Sequence, residues 1–145
     1  MRLWRGRCAT LSGMDDTPIL VIDDDADVLE TIVEILQQAG YSALDTADAR
    51  QADVLLRYRR FALIITDVVM PHLTGLQVLE LAKRHSPDAQ VLLISAYTSR
   101  NMVAEAMAKG ACGMIEKPFD NHHLLSAVRE ALRRARWNPE HGASR

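Results

Sequence analysis

The strongest constraint on this chain is the way short apolar runs alternate with amphipathic stretches. Ile19-Leu20-Val21-Ile22, Leu63-Ile64-Ile65-Thr66, Val91-Leu92-Leu93-Ile94 and Met114-Ile115 read as strands, and the first of them as one buried on both faces. Each run gives way to a polar group of a different kind: Asp23-Asp24-Asp25, Asp67, Ser95, and Lys117-Pro118 after Glu116. With a weaker run at Tyr41-Ser42-Ala43-Leu44, five strands alternate with five helices across short loops. That pattern predicts an α/β fold with one parallel sheet covered by helices on both faces. Parallel strands end on a common edge, and ligands of such sheets bind at that edge, where the strand order reverses. Asp23, Asp24, Asp67, Ser95 and Lys117 are therefore expected together.

Punctuation between the strands sharpens the reading. After the first acids, Val28, Leu29, Ile32, Val33, Leu36 and Ala39 recur at helical spacing and Gly40 supplies a stop. Asp25 is read as the start of this helix rather than as a metal ligand. Asp48 with Gln51 resembles a capping box opening a helix through Ala52, Leu55 and Leu56, closed by the cations of Arg57-Tyr58-Arg59-Arg60. The third strand is expected over Phe61 to Thr66, and Pro71 and Gly75 end its pairing and turn the chain into a helix marked by Leu76, Leu79 and Ala82. Ser99 caps a fourth helix bearing Met102, Val103, Ala106 and Met107, and Gly110 ends it. Asp120 caps the last, whose stripe is Leu124, Val128, Ala131 and Leu132.

Composition bounds the function. With 145 residues, 48% hydrophobic and 25% charged, the chain is expected to form one domain with a real core, spanning residues 17–135. Residues 1–16 read as a disordered extension, since Arg2, Arg5 and Arg7 precede no apolar signal region and Met14 could itself start the chain; residues 136–145 read as a flexible tail. A net charge of -2 makes no general case for nucleic acid, and Arg133, Arg134 and Arg136 read as a solvated helix face. Cys8 and Cys112 are too few and too far apart for a disulfide framework or a zinc site, which suits a reducing cytoplasm, and no apolar run is long enough to cross a bilayer.

Three carboxylates crowded at one edge raise each other's pKa values unless a cation compensates. A hard divalent ion does so, and Mg²⁺, with Mn²⁺ as substitute, takes one or two carboxylates and fills its remaining positions with carbonyl, water and phosphate oxygens. A carboxylate beside Mg²⁺, with an ammonium and a hydroxyl nearby, is arranged to attack phosphorus and become an aspartyl phosphate. Asp67, at the end of its strand, is the residue for that role.

These residues carry a resemblance. Asp23-Asp24, Asp67-Val68-Val69-Met70-Pro71 with Gly75, Ser95-Ala96 and Lys117-Pro118-Phe119, in this order and spacing, resemble a receiver domain of bacterial two-component response regulators over about Thr17 to Ala135. The resemblance implies a flavodoxin-like, doubly wound five-stranded sheet of order 2-1-3-4-5 with five helices. It also implies that Asp67 accepts a phosphoryl group from the phosphohistidine of a sensor histidine kinase or histidine phosphotransfer protein. Asp24, Asp67 and the Val69 carbonyl would hold Mg²⁺, with Asp23 acting mainly through water; Lys117 would pair with Asp67 and then with phosphate, and Ser95 would donate its hydroxyl. Val68, Val69 and Ala96 complete the surroundings of the bound groups. In the family the Lys-Pro peptide is usually cis, and the face of helix 4, strand 5 and helix 5 switches and can form a homodimer. Val69 and Tyr97 flank the implied path of a hydrolytic water, and Met114 stands where many receivers carry Tyr or Phe.

A rival reading is an aspartate-nucleophile phosphatase or phosphotransferase on a similar sheet. Such enzymes carry a second acid two residues past the nucleophile, where this chain has Val69, and usually add a cap domain. A pseudo-receiver that only binds partners is the third reading, against which the complete acid, Ser and Lys set argues. The module is thus expected to catalyse only its own phosphorylation and slow dephosphorylation, with no membrane and no direct nucleic-acid contact. The ten residues after Ala135 suit either a stand-alone receiver or one taken from a longer chain.

Overall fold

The computed structural model describes residues 18–96 and 98–136. The expected extension over residues 1–16, the tail past residue 136 and Tyr97 lie outside the described residues. Ten elements alternate: β1 (Ile19–Ile22), α1 (Ala26–Gln38), β2 (Ala43–Thr46), α2 (Ala49–Tyr58), β3 (Leu63–Asp67), α3 (Gly75–His85), β4 (Gln90–Ser95), α4 (Arg100–Ala108), β5 (Gly113–Glu116) and α5 (Asn121–Arg136). The strands pair in parallel in the order β2-β1-β3-β4-β5, so the direction of winding reverses between β1 and β3. This is the doubly wound order that the resemblance implies.

Alternation along each strand explains why the strands read as continuous apolar runs. Ile19 and Val21 of β1, Leu63 and Ile65 of β3, and Leu92 and Ile94 of β4 pack with Leu29, Ile32, Val33, Ile35 and Leu36 of α1 and Leu124, Val128 and Ala131 of α5. Leu20, Ile22, Ile64, Val91 and Leu93 face the other way, onto Ala52 and Leu56 of α2 and Val78, Leu79 and Ala82 of α3. Each fully buried side chain of this size contributes about 1.5–3 kcal/mol, so a central strand with a polar residue on either face would lose a contact on that side. α4 contributes little to this sandwich, because Ala106 is its only buried residue.

Local chemistry sets the helix ends. Asp25 accepts from the amides of Asp27 and Val28, Ser99 from Met102 and Asp120 from His123, so all three caps stand where the sequence puts them. α1 and α4 both close through a glycine at positive φ, Gly40 at 95° and Gly110 at 103°. At each, the glycine amide and the next amide reach back into the last turn, to Gln37 and Leu36 in α1 and to Met107 and Ala106 in α4.

Three boundaries differ from the sequence reading. The second strand starts at Ala43, not Tyr41, because the Tyr41 amide is engaged by Leu36 in closing α1 and the register begins with Ile19 opposite Ala43; it then continues past Leu44 to Thr46. The third starts at Leu63 rather than Phe61 and includes Asp67. Asp48 caps α2, but Gln51 does not complete a capping box: Thr46 Oγ1 accepts the Asp48 amide at 3.0 Å and donates to Gln51 Oε1 at 2.6 Å, occupying both groups such a box would join. The true box is on α3, where Thr74 accepts from the Gln77 amide at 3.1 Å and the Gln77 side chain accepts from the Thr74 amide at 2.9 Å. The Thr-x-x-Gln spacing announces it. Loss of such a cap costs about 1 kcal/mol, so Thr74→Ala is expected to lower the unfolding free energy by that amount, read as a lower urea midpoint with the slope of the transition unchanged.

Candidate functional site

Register brings the acids together. Ile22 pairs with Thr66, so one step further along β1 and β3 places Asp23 beside Asp67 at the point where strand order reverses. Carboxylate oxygens of Asp23, Asp24 and Asp67 lie within 4.8 Å of one another; Asp23 is 1% exposed and Asp67 8%, while Asp24 is exposed. Asp25 is not part of this cluster, being committed to the cap of α1.

Lys117 enters from the end of β5, 94 residues from Asp23 in the chain and 50 from Asp67. Its Nζ donates to Asp23 Oδ2 at 3.1 Å and to Asp67 Oδ2 at 3.4 Å. The sequence reading paired it with Asp67; in the structure it serves both acids and lies nearer Asp23. Its backbone amide donates to the Ser95 carbonyl at 2.8 Å, which draws the buried Ser95 at the end of β4 into the same rim, and the Lys117–Pro118 peptide is cis.

Burial is the main reason that the Asp23 carboxyl titrates above the usual aspartate range. The Asp25 amide on Oδ1 pulls it down, the Asp67 charge pushes it up, and Lys117 pulls it down again. For Lys117, burial works against the charged form, yet Asp23 and Asp67 outweigh it and hold the ammonium above its ordinary range. Three carboxylates against one ammonium leave two negative charges uncompensated. At about 4 Å and an effective dielectric of about 20, each like-charge pair costs about 4 kcal/mol, so the donor set fits a hard divalent cation.

The loop after Asp67 is held by contacts that the sequence reading missed. Thr66, fully buried, donates its hydroxyl to the Asp67 carbonyl at 3.0 Å. The Val68 amide donates to Ile94 and its side chain enters the core, while its carbonyl accepts from Gly75 at 2.8 Å. Val69 turns outward, with 67% of its surface exposed, and Ala96 is exposed just past β4. Gly75 reads in the sequence as a breaker, but its role is steric: a Cβ there would stand 2.6 Å from the Asp67 carbonyl oxygen and 2.8 Å from Val68 Cα. The α3 N-terminus can therefore press directly on the backbone of Asp67.

Two outcomes follow from this geometry. Because the Asp23 pKa is raised, the folded chain binds that proton more tightly than the unfolded chain, and stability falls as pH rises from the ordinary aspartate range through the raised value. The Lys117 contribution is complete below the ordinary lysine range and is lost only as pH rises through its raised value, so it is constant near neutrality. Asp23→Asn removes a buried charge and keeps one acceptor oxygen, enough for the Asp25 amide, while Lys117 retains Asp67; it is expected to melt higher than wild type at neutral pH in chelator and to lose that advantage in acid. Gly75→Ala is expected to cost about 1–3 kcal/mol by overpacking, read by denaturant titration, with amide shift changes concentrated at Asp67 and Val68.

The relatives of this chain agree with the geometry. Residues 19–129 match the family model of the response regulator receiver domain. The chain is 32% identical over 122 residues to the phosphoglycerate transport system transcriptional regulatory protein PgtA of Salmonella typhimurium, covering 84% of this chain and 29% of that one. It spans 27% and 25% of the length of two other curated relatives and just over half, 57% and 54%, of two more. Among solved structures, a CheY-like receiver domain protein of Methanospirillum hungatei superposes with a TM-score of 0.78 at 27% identity, over 83% of this chain and 96% of that one. The beryllofluoride-activated NtrC4 receiver domain dimer gives 0.77 at 29% identity, over 81% and 98%. No helix among the described residues is long and apolar enough to cross a membrane. Fold, acid cluster and family model converge, and the chain belongs to the receiver domain family of two-component response regulators.

Proposed function

We propose that Asp67 is the phosphoacceptor of a two-component phosphorelay, taking a phosphoryl group from the phosphohistidine of a sensor histidine kinase or histidine phosphotransfer protein. The observation that carries this reading is the convergence of three carboxylates on one edge with Lys117 bridging two of them. An Asp67 oxygen forms the new bond to phosphorus as the phosphorus–nitrogen bond of the donor breaks, and the imidazole leaves as the neutral ring once protonated. Asp24, Asp67 and the Val69 carbonyl would hold Mg²⁺ or Mn²⁺, with Asp23 acting through water. The ion supplies compensation for the charge on the transferring phosphoryl oxygens.

The chain's own residues do the rest. Lys117 exchanges its contact with Asp67 for a phosphoryl oxygen while keeping Asp23, and Ser95 turns its hydroxyl toward the same group. Val68 holds the loop in the core, and Val69 and Ala96 border the space the phosphoryl group enters. The readout runs through Ser95 into α4, whose light anchoring, by the buried Ala106 and the partly buried Met102, lets it shift at small cost. Met114, partly buried against the same core cluster that holds Ala106, is unbranched and can repack as α4 moves. The face of α4, β5 and α5 then becomes a docking or homodimer surface, a reading that the dimeric NtrC4 receiver supports by analogy. The module is cytoplasmic in this reading.

A phosphatase is disfavoured because Val69, where a general acid would stand, is apolar. Intact-mass measurement after incubation with acetyl phosphate or phosphoramidate and Mg²⁺ is expected to register one phosphoryl adduct on the wild type and none on Asp67→Asn. An adduct of the same yield in the variant would overturn the assignment.

A further inference from the structure

The edge of the sheet opposite the acids carries a second concave site. The starts of β1 and β3, the turn from α1 into β2, the α3–β4 loop and the last turns of α5 enclose a cleft of about 800 Å³, a size suited to a small organic ligand. Its charge is opposite to that of the phosphoacceptor edge. Arg60, His85, Arg129 and Arg133 line it, and among the described lining residues the one carboxylate is Asp88, which already has a partner. Arg133 is paired with Glu130, but neither Arg60 nor Arg129 has an ion-pair partner among the described residues. In a chain of net charge -2, two unneutralised guanidinium groups at one cleft are not explained by the general charge balance.

The floor has a different character. Phe61 is buried beneath the cleft, and Tyr41 and Leu132 are half-buried along its wall, packed against the α1 and α5 side of the core. A cationic rim over an aromatic and aliphatic wall matches a ligand with an anionic head and a flat apolar body. Guanidinium forks bind phosphate in bidentate fashion, and an imidazole donates a hydrogen bond in either charge state. We infer that this cleft binds a small aryl or heterocyclic phosphate, with the phosphate between Arg60 and Arg129 and the ring against Tyr41 and Leu132. The site is independent of the phosphoacceptor reading, since it shares no residue with the acid edge.

Phenyl phosphate titrated into the full chain, with phenol and inorganic phosphate as separate controls, tests this by amide NMR in chelator. Shifts are expected at Tyr41, Ser42, Ala62 and Ala89, with the amides of Asp24, Asp67 and Ser95 unmoved. Arg60→Gln and Arg129→Gln, both at exposed positions, should each weaken binding about tenfold, as should removal of either the phosphate or the ring from the probe. Arg84→Gln, exposed on α3 outside the cleft, should leave it unchanged. Absence of saturable shifts with phenyl phosphate in the millimolar range would overturn the proposal. So would binding that either cleft variant leaves intact, or shifts that map to the acid edge.

Discussion

One ammonium serves two buried carboxylates, and the working edge of this molecule is arranged around that shared contact. Lys117 lies between Asp23 and Asp67, with a third acid close by and two negative charges still uncompensated. Such a cluster is a poor source of stability, because removing charges from water costs several kcal/mol per ion before any attraction is gained. Its cohesion has to come from elsewhere. The two apolar layers on either side of β1, β3 and β4 supply it, and they hold the strand ends in register whether or not the charges at their tips are balanced.

That division of labour explains the uneven packing. α1 and α5 close one face and α2 and α3 the other, each with two or more buried side chains. α4 has one buried residue, Ala106, with Met102 partly buried beside it, and follows the strand that delivers Ser95. The heavily packed elements position the acids, and the lightly anchored one follows the strand that ends in Ser95. Gly75 adds a further tie, since only a residue without a Cβ lets α3 begin against the Asp67 carbonyl. The two edges of the same sheet also differ in sign: carboxylates gather where the strands end and guanidinium groups around the cleft where they begin.

By itself, the sequence determined most of the secondary structure and the membership of the acid edge. Apolar periodicity and caps are local properties, so Asp25, Ser99 and Asp120 could be assigned from neighbours a few residues away, and a parallel sheet must bring the ends of its strands to one rim. What only the tertiary structure decided are contacts between residues far apart or between groups competing for one partner. The sharing of Lys117 with Asp23 depends on how β1, β3 and β5 align over 94 residues of chain. The Gln51 side chain bonds Thr46 instead of closing a capping box because the edge strand runs two residues further than its polarity suggested. The steric demand at Gly75 and the cationic cleft likewise appear only once separate segments meet, because distance across the fold has no counterpart in the spacing of residues along the chain.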